Sequence, residues 1–325
     1  MAYKIYKIKN NIYVVKYLFC YKILKISFDD YYIEKYKIEF ENYKKLLSQS
    51  NNTFNIEKFN KIIYLENISS KDYFEFFILD NKIQISFTNF NYNLPGKTNF
   101  VCLISDFNPK NLTFDKIIEK YGYNNIDAYM YNILFNRYKA ASLLNFKHCD
   151  FKINNILILE NGDASLFDLD FSVFVKNNHY IDIYNYDVNL YLDMPDSARI
   201  SGNFLDIFDN YLLGISIIYT RGSFYAKVIL SKMKRFVFEN NNVPQFYKLF
   251  IVIFANLLEY CHYKLSIEEY NTLLKYSQIT KILNDSRKIN IGEIYNSYTY
   301  SFDFIEKTLL QICIMNISLN KYILN

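Results

Sequence analysis

The sequence predicts an α+β fold, with a small strand-rich lobe in residues 1–105 and a larger helical lobe in residues 106–325. Two observations support this prediction. Short runs with the two-residue period of strands dominate the first hundred residues, whereas apolar residues after residue 206 recur with helical spacing. A chain of 325 residues is also long enough to bury a core in each of two lobes.

The first lobe begins with two predicted strands and a helix. Asn10 and Asn11 separate the strand-like runs 3–9 and 12–19, and asparagine tolerates the left-handed conformation of a tight turn. From Asp29 onwards the period becomes that of an amphipathic helix. Its apolar stripe consists of Ile33, Tyr36, Phe40, Tyr43 and Leu47. Residues 72–106 return to strand character, with a turn predicted at residues 80–82.

Two helices are predicted to organise the second lobe, after a hinge near residues 105–109. The apolar stripe of the first helix consists of Met130, Ile133, Leu134, Tyr138 and Ala141. The second helix covers residues 206–220 and is apolar on nearly all sides, which predicts a position inside the protein.

Composition and charge exclude several classes of protein. The net charge is only +4 and the 37 basic residues are spread along the chain, which argues against a nucleic-acid partner. The longest apolar run, residues 249–255, is too short for a transmembrane segment. Five cysteines without a CxxC pair, together with three histidines, argue against a structural zinc site. We therefore expect a soluble protein from a reducing compartment.

One decapeptide, residues 148–157, combines the residue types that phosphoryl transfer requires. It has the pattern H-x-D-x-K-x-x-N-I-L. Asp150 is a carboxylate that can accept or orient the proton of a substrate hydroxyl, and Lys152 is a cation that can lie near the transferred phosphate. His148 is expected to pack and orient this segment. The decapeptide therefore predicts a catalytic loop with Asp150 and Lys152 as its catalytic residues.

The same segment predicts a magnesium site. Asn155 ends the polar part of the decapeptide, and Asp168 stands thirteen residues further on, behind an apolar strand. Amide and carboxylate oxygens are hard ligands of the kind that Mg²⁺ binds. Asp170 is the alternative to Asp168, and the spacing from Asn155 favours Asp168. The sequence thus predicts Asn155 and Asp168 as metal ligands.

At these residues the chain resembles the eukaryotic-type protein kinase superfamily. Two later motifs add to the resemblance, Met194-Pro195-Asp196 and the D-x-Y-x-L-G pattern that starts at Asp209. More narrowly, the chain resembles the poxvirus serine/threonine protein kinases of virion assembly. The segments that carry this closer likeness are FDLDFS at 167–172, YVVKY at 13–17, Glu39-Phe40 and KYGYNNIDAYMY at 120–131.

The resemblance implies ATP and Mg²⁺ as cofactors and an ion pair that grips the nucleotide. It implies Lys16 and Glu39 for that pair, with Lys25 as the alternative lysine. In another interpretation Lys16 lies on the solvent face of the sheet. The resemblance also implies structural roles for His148, for Asp196 at the end of the activation segment, and for Asp209 as the anchor of the catalytic-loop backbone. Main-chain groups near residues 103–106 would bind the adenine.

One departure from the family pattern bears on activity. No glycine precedes Gly96, so with Lys16 as the nucleotide lysine the first strand and the glycine-rich loop are expected to be truncated. This leaves three functions open: an active serine/threonine kinase, a pseudokinase scaffold that binds a partner protein, and a small-molecule phosphotransferase. For the kinase, the resemblance implies protein substrates, viral partner proteins, and a location in virions or the host cytoplasm.

Overall fold

The computed structural model describes residues 3–9, 11–50, 54–56, 59–90, 98–177, 179–182, 199–240 and 242–263. They fall into two compact units, Met1–Asn51 with Ile56–Asn111 and Asn52–Asn55 with Leu112–Asn325. The first unit is rich in strands and the second in helices, so the α+β prediction is confirmed at this level. The division lies after Asn111, beyond the predicted boundary at residue 105.

The first unit is built on a five-stranded antiparallel sheet with the order β1-β2-β3-β7-β4. A long helix and a separate hairpin complete the unit. The elements are β1 Lys4–Lys9, β2 Ile12–Tyr17, β3 Cys20–Ser27, α1 Asp30–Ser50, β4 Phe59–Ile68, β5 Tyr73–Ile78, β6 Asn81–Ser86 and β7 Thr98–Asp106, with a 3-10 helix at Phe87–Phe90. Strand β4 lies in a region for which no element was predicted from the sequence.

The two faces of this sheet are covered by different elements. Helix α1 packs on one face, where Ile33 and Tyr36 meet Val101 and Leu103. The β5–β6 hairpin contributes to the core on the other face. That core contains Tyr13, Val15, Tyr17, Leu24, Ile26, Phe74, Phe76, Ile83, Ile85, Phe87, Phe100 and Cys102. Strand β7 is therefore buried on both sides, which explains its continuous apolar run from Phe100 to Ile104.

Residues with positive φ mark the turns of the first unit. Asn11 has φ 63°, as the predicted turn between β1 and β2 requires. The turn between β5 and β6 lies at Leu79 and Asp80, with φ 49° and 60°, one residue earlier than predicted. Positive φ at both central residues is typical of the tight turns whose twist matches that of a hairpin.

The second unit consists mainly of helices joined by short strands. Its elements are β8 Leu112–Thr113, α2 Phe114–Tyr121, α3 Ile126–Leu144, β9 Phe146–Lys147, β10 Ile156–Ile158, β11 Ala164–Leu166, β12 Val173–Phe174, β13 Tyr180–Asp182, β14 Arg199–Ser201, α4 Gly202–Glu239 and α5 Gln245–Tyr263, with a 3-10 helix at Ile153–Asn155. Helix α4 is interrupted at Gly222, where φ is 80°.

Helix α4 has the buried position that its apolar sequence predicts. Phe208, Leu213 and Ile217 are each no more than 2% exposed. At Gly214 a β-carbon would lie 2.7 Å from Leu257 Cδ1, so glycine permits the close approach of α5. Within the part of the chain described, no helix has the length and apolar character needed to span a membrane.

The predicted apolar stripe of α3 is displaced by one residue at its C-terminal half. Tyr138 is 44% exposed, whereas Arg137 and Ala140 are buried. The buried face therefore includes a charged side chain, and Arg137 is satisfied there by carboxylates of α4. Periodicity alone placed the aromatic residue on the buried face because apolar residues are its only signal.

Replacing Gly202 by alanine is expected to destabilise the second unit. A β-carbon at Gly202 would overlap the backbone carbonyl oxygen of Lys176 and lie 2.8 Å from its carbonyl carbon. Backbone cannot move as a flexible side chain does, so we expect a loss of about 1–3 kcal/mol in the free energy of unfolding. Urea denaturation measures the loss, with the exposed Lys227→Ala as control. Equal stability of the Gly202→Ala variant and the parent would contradict the close contact.

Candidate functional site

Asp150 and Asn155 meet in the loop between β9 and β10. Both are buried, with exposures of 2% and 4%. Asn155 Nδ2 donates to Asp150 Oδ2 at 2.6 Å and to the Asp150 carbonyl oxygen at 3.1 Å. Lys152 Nζ lies 2.9 Å from the same Oδ2, and its side chain is 37% exposed. Three of the predicted site residues are therefore brought together by contacts within six residues of chain.

The amide orientation of Asn155 bears on its predicted role as a metal ligand. Because Nδ2 donates to Asp150, Oδ1 is the atom of this side chain that can bind a hard cation. Among the described residues, no group of three or more His, Cys, Asp or Glu side chains could hold a metal ion by itself. Sites that bind Mg²⁺ together with substrate phosphates use one or two protein carboxylates, and the assignment of Asn155 and Asp168 as metal ligands stays a prediction.

Asp209 on α4 binds the backbone of the loop that carries Asp150. Its Oδ1 accepts from the backbone N–H of Cys149 at 2.7 Å, and its Oδ2 accepts from that of His148 at 2.9 Å. Cys149 has φ 61°, a left-handed conformation that is uncommon for residues other than glycine. Asp209 is fully buried. The two hydrogen bonds thus stabilise a strained backbone directly before Asp150, in line with the structural role predicted for Asp209.

His148 ties the loop to the segment that carries Asp168. Its ring is buried, and Nε2 lies 3.1 Å from the carbonyl oxygen of Phe167. Because a carbonyl oxygen only accepts, Nε2 carries the proton in this contact. Ser172 donates from Oγ to the carbonyl oxygen of His148 at 3.2 Å. These contacts match the orienting role predicted for His148.

Asp168 follows β11 and has a left-handed backbone with φ 63°. Asp and Asn adopt this conformation more readily than most residues, and strained backbone of this kind concentrates at functional sites. The next residue, Leu169, is buried. Asp168 therefore stands directly after the carbonyl group that His148 holds, and its choice over Asp170 as a metal ligand stays a prediction.

Burial also affects the thiol of the residue before Asp150. It raises the pKa of Cys149 well above its usual value, and the charge of Asp209 raises it further. The thiol is therefore uncharged at neutral pH and behaves as a small apolar side chain.

In the first unit, Glu39 pairs with Lys25 rather than with the predicted Lys16. Lys25 Nζ lies 2.8 Å from Glu39 Oε2, and the Glu39 side chain is only 1% exposed. Lys25 is on β3, facing α1, whose residue Tyr36 has its ring 5.0 Å from Nζ. The expected truncation of the first strand followed from choosing Lys16. With Lys25 on β3, two strands precede the lysine, and the first strand is present.

Lys16 has different surroundings. Its neighbours Tyr13, Val15 and Tyr17 belong to the buried core on one face of the sheet, as in the alternative interpretation. Lys16 Nζ lies 5.2 Å from the centre of the Tyr21 ring. The hydrogen bond and charge interaction with Tyr21 raise the pKa of Lys16. The ammonium group is thus stabilised by an aromatic partner on β3.

The backbone that was expected to bind adenine is largely occupied by the sheet. Residues 103–105 pair with β3 on one side and with β4 on the other. Backbone groups in a ladder on both sides are not available to a ligand. Asp106 ends β7, and Phe107 N–H already donates to the carbonyl oxygen of Tyr21 at 3.1 Å. The main-chain groups of residues 103–105 are therefore not available to an adenine base.

Three charged residues near the loop were not predicted from the sequence: Arg137, Lys147 and Asp206. Arg137 Nη2 donates to Asp206 Oδ1 at 2.7 Å, and Lys147 Nζ donates to the other oxygen of Asp206. The available signal was a charged residue at helical spacing from Ile133 and Leu134, in an otherwise apolar stripe. The predicted Asp196, with Met194 and Pro195, lies outside the described residues.

No protein-family model matches the chain, and a search of the curated proteins finds no match.

Proposed function

We propose that the protein is an ATP- and Mg²⁺-dependent protein kinase with a kinase-like two-lobed fold. It transfers the γ-phosphoryl group to serine or threonine of protein substrates. The observation that carries the proposal is the contact of Asp150 with both Asn155 and Lys152 on a loop held by Asp209. Carboxylate, amide oxygen and ammonium group are the parts that phosphoryl transfer uses around the reacting hydroxyl.

In this proposal each residue of the loop has one task. The Asp150 carboxylate accepts the proton of the substrate hydroxyl as the hydroxyl oxygen attacks the γ-phosphorus. The ammonium group of Lys152, half-exposed beside Asp150, stabilises negative charge on the transferred phosphoryl group. Asn155 Oδ1 and the Asp168 carboxylate would hold Mg²⁺, which when bound neutralises charge on the phosphates.

The first unit supports the nucleotide-binding part of the proposal. In protein kinases a lysine on the third strand of the sheet pairs with a glutamate on the following helix, and both are needed for phosphate binding. The Lys25–Glu39 contact joins β3 to α1 in the same order. We therefore assign the nucleotide-binding role to Lys25 and Glu39.

The resemblance to the poxvirus kinases extends the proposal to its setting. The substrates and partners would be viral proteins in virion assembly, and the enzyme would act in virions or the host cytoplasm. The lysine at position 152 is the residue that resembles the serine/threonine class.

A pseudokinase scaffold is the second candidate function, favoured by the absence of glycine before Gly96. The turn between β1 and β2 of this chain has no glycine. In kinases, glycine residues in this turn let the backbone approach the phosphates. Titration with Mg-ATP in a thermal-shift assay separates the two functions. A kinase should be stabilised, by about 2.7 kcal/mol when the ligand reaches 100 times its dissociation constant. Mg²⁺ alone and ATP with EDTA are the controls, and no stabilisation at millimolar Mg-ATP would favour the scaffold.

A further inference from the structure

A buried network of two cations and two carboxylates lies beside the backbone of the Asp150 loop. It consists of Arg137 on α3, Lys147 on β9, and Asp206 and Asp209 on α4. Arg137 is 6% exposed and Lys147 is 1% exposed. Charged groups are rarely buried unless they are paired, because the loss of hydration is costly. The reaction proposed above gives Arg137, Lys147 and Asp206 no task.

Arg137 contacts the same carboxylate that binds the loop. Its Nε and Nη2 donate to Asp209 Oδ2 at 3.3 and 3.2 Å. That oxygen also accepts from the backbone N–H of His148, while Oδ1 accepts from that of Cys149. A single carboxylate therefore connects the guanidinium group to two consecutive amides, and Asp150 is the next residue of the chain.

Arg137 also contacts a second acidic residue of α4, Asp206. Nη2 donates to the Asp206 carbonyl oxygen at 3.0 Å and to Asp206 Oδ1. Burial lowers the pKa of Arg137, but the charges of Asp206 and Asp209 outweigh this effect and raise it overall. The guanidinium group is thus charged and held in one orientation by two residues of α4.

Lys147 forms the second part of the network, together with Asn177 and Asp206. Its Nζ donates to Asn177 Oδ1 at 2.7 Å and to Asp206 Oδ2. Burial lowers the pKa of Lys147, with Asp206 acting in the opposite direction. Among the described residues, the side-chain hydrogen bonds of Lys147 go to Asn177 and Asp206 and not to Asp209, so its influence on the loop is less direct.

We propose that Arg137 is a positioning residue that acts through Asp209 on the backbone of His148 and Cys149 and thereby fixes the carboxylate of Asp150. Without the guanidinium group, Asp209 is a buried carboxylate that has lost its contact cation. Its hold on the left-handed backbone at Cys149 weakens, and Asp150 moves away from the substrate hydroxyl. The kinetic part of this inference rests on the proposed function, whereas its effect on the loop backbone does not.

The test compares Arg137→Met and Arg137→Lys with the parent by two independent measurements. Arg235→Met is the matched control, because the Arg235 side chain is 78% exposed and pairs with Glu239 at the surface. Hydrogen–deuterium exchange reports on the amides of His148 and Cys149 without requiring any activity. Steady-state kinetics with Mg-ATP and a serine-containing protein substrate report on Asp150.

We expect Arg137→Met to increase the exchange rate relative to the parent in the peptide covering residues 146–155. The increase should be smaller in the peptides of α5. Its kcat should fall by about 100-fold, since a displacement of about 1 Å can have this effect. The KM for ATP should stay within about threefold, because the lost interaction acts on the reacting group and not on nucleotide binding. Arg137→Lys should regain part of kcat, and Lys147→Met should lose less than Arg137→Met.

Three results would overturn the inference. One is unchanged exchange at His148 and Cys149 in both Arg137 variants. Another is a uniform increase of exchange along the chain, which would give Arg137 a role in overall stability only. The third is an Arg137→Met variant with the parent's kcat. If the parent itself transfers no phosphate, the proposed function fails, and the exchange measurement still decides whether Arg137 positions the loop. If Arg137→Met does not fold, Arg137→Lys provides the same two readouts.

Discussion

Replacing Asp150 by asparagine is expected to lower the rate of phosphoryl transfer by about 10²–10⁴-fold, the range that a positioned general base contributes. The change removes one negative charge and keeps the size of the side chain. Its carbonyl oxygen can still accept from Asn155 and Lys152, whose contacts with Oδ2 are short. The loop should therefore keep its conformation while it loses its proton acceptor. Initial-rate kinetics measure kcat, and calorimetric titration with Mg-ATP measures nucleotide binding.

The matched control for this variant is Asp80→Asn, which makes the same chemical change in the exposed turn between β5 and β6. Asparagine tolerates the left-handed backbone found there, so the control should behave as the parent. If Asp150→Asn kept the parent's kcat, Asp150 would not be the base. If it lost both kcat and Mg-ATP binding, its role would be in assembling the site.

Replacing Lys25 by methionine is expected to abolish most nucleotide-dependent activity, with kcat/KM for ATP falling by about 100-fold or more. Removing one partner of a buried ion pair leaves the other charge uncompensated, which costs about 3–5 kcal/mol. Glu39 is such a partner, since its side chain is 1% exposed. Lys16→Met should have little effect on kcat/KM, because Lys16 is stabilised by Tyr21 on a neighbouring strand.

Stability and activity can be separated with a second variant of the pair. The double variant Lys25→Met/Glu39→Leu removes both charges and should recover much of the free energy of unfolding, because no unpaired charge is left. It should not recover kcat/KM. The assignment of Lys25 would be contradicted if Lys16→Met had the larger effect on kcat/KM for ATP.

The sequence predicted helices α1 and α4 because their buried faces carry the required spacing along many turns. Helix α1 buries Ile33, Tyr36 and Tyr43 of the predicted stripe. Helix α4 was recognised by the near absence of a polar face, and its residues Phe208 and Leu213 are buried as expected. Long elements with one consistent period are the ones that sequence identifies best.

The choice of Lys16 depended on the likeness of residues 13–17, and the turn that follows them carries no usual turn signal. The turn between β2 and β3 consists of Leu18 and Phe19, with exposures of 52% and 76%. Gly, Asn and Asp are the residues that usually signal such a turn, and Leu18 takes the positive φ of 55° without being one of them. The second predicted strand therefore extends to residue 19, into this turn, and no separate strand is predicted around Lys25.

The site itself was predictable where its contacts are local and not where they span the chain. Asp150, Lys152 and Asn155 contact one another within a single loop, so their spacing was enough to group them. Arg137 and Asp209 are in contact although they are 72 residues apart in the sequence. Spacing along the chain carries no information about that contact, since it depends on how α3 packs beside α4.

The most direct test of the proposed function is transfer of label from [γ-³²P]ATP to a protein substrate, followed by phosphoamino-acid analysis. With Mg²⁺, the parent protein is expected to label serine or threonine, and the label should be lost with EDTA and in the Asp150→Asn variant. Equal labelling by the parent and by Asp150→Asn, or no labelling by a parent that is folded and binds Mg-ATP, would contradict the proposal.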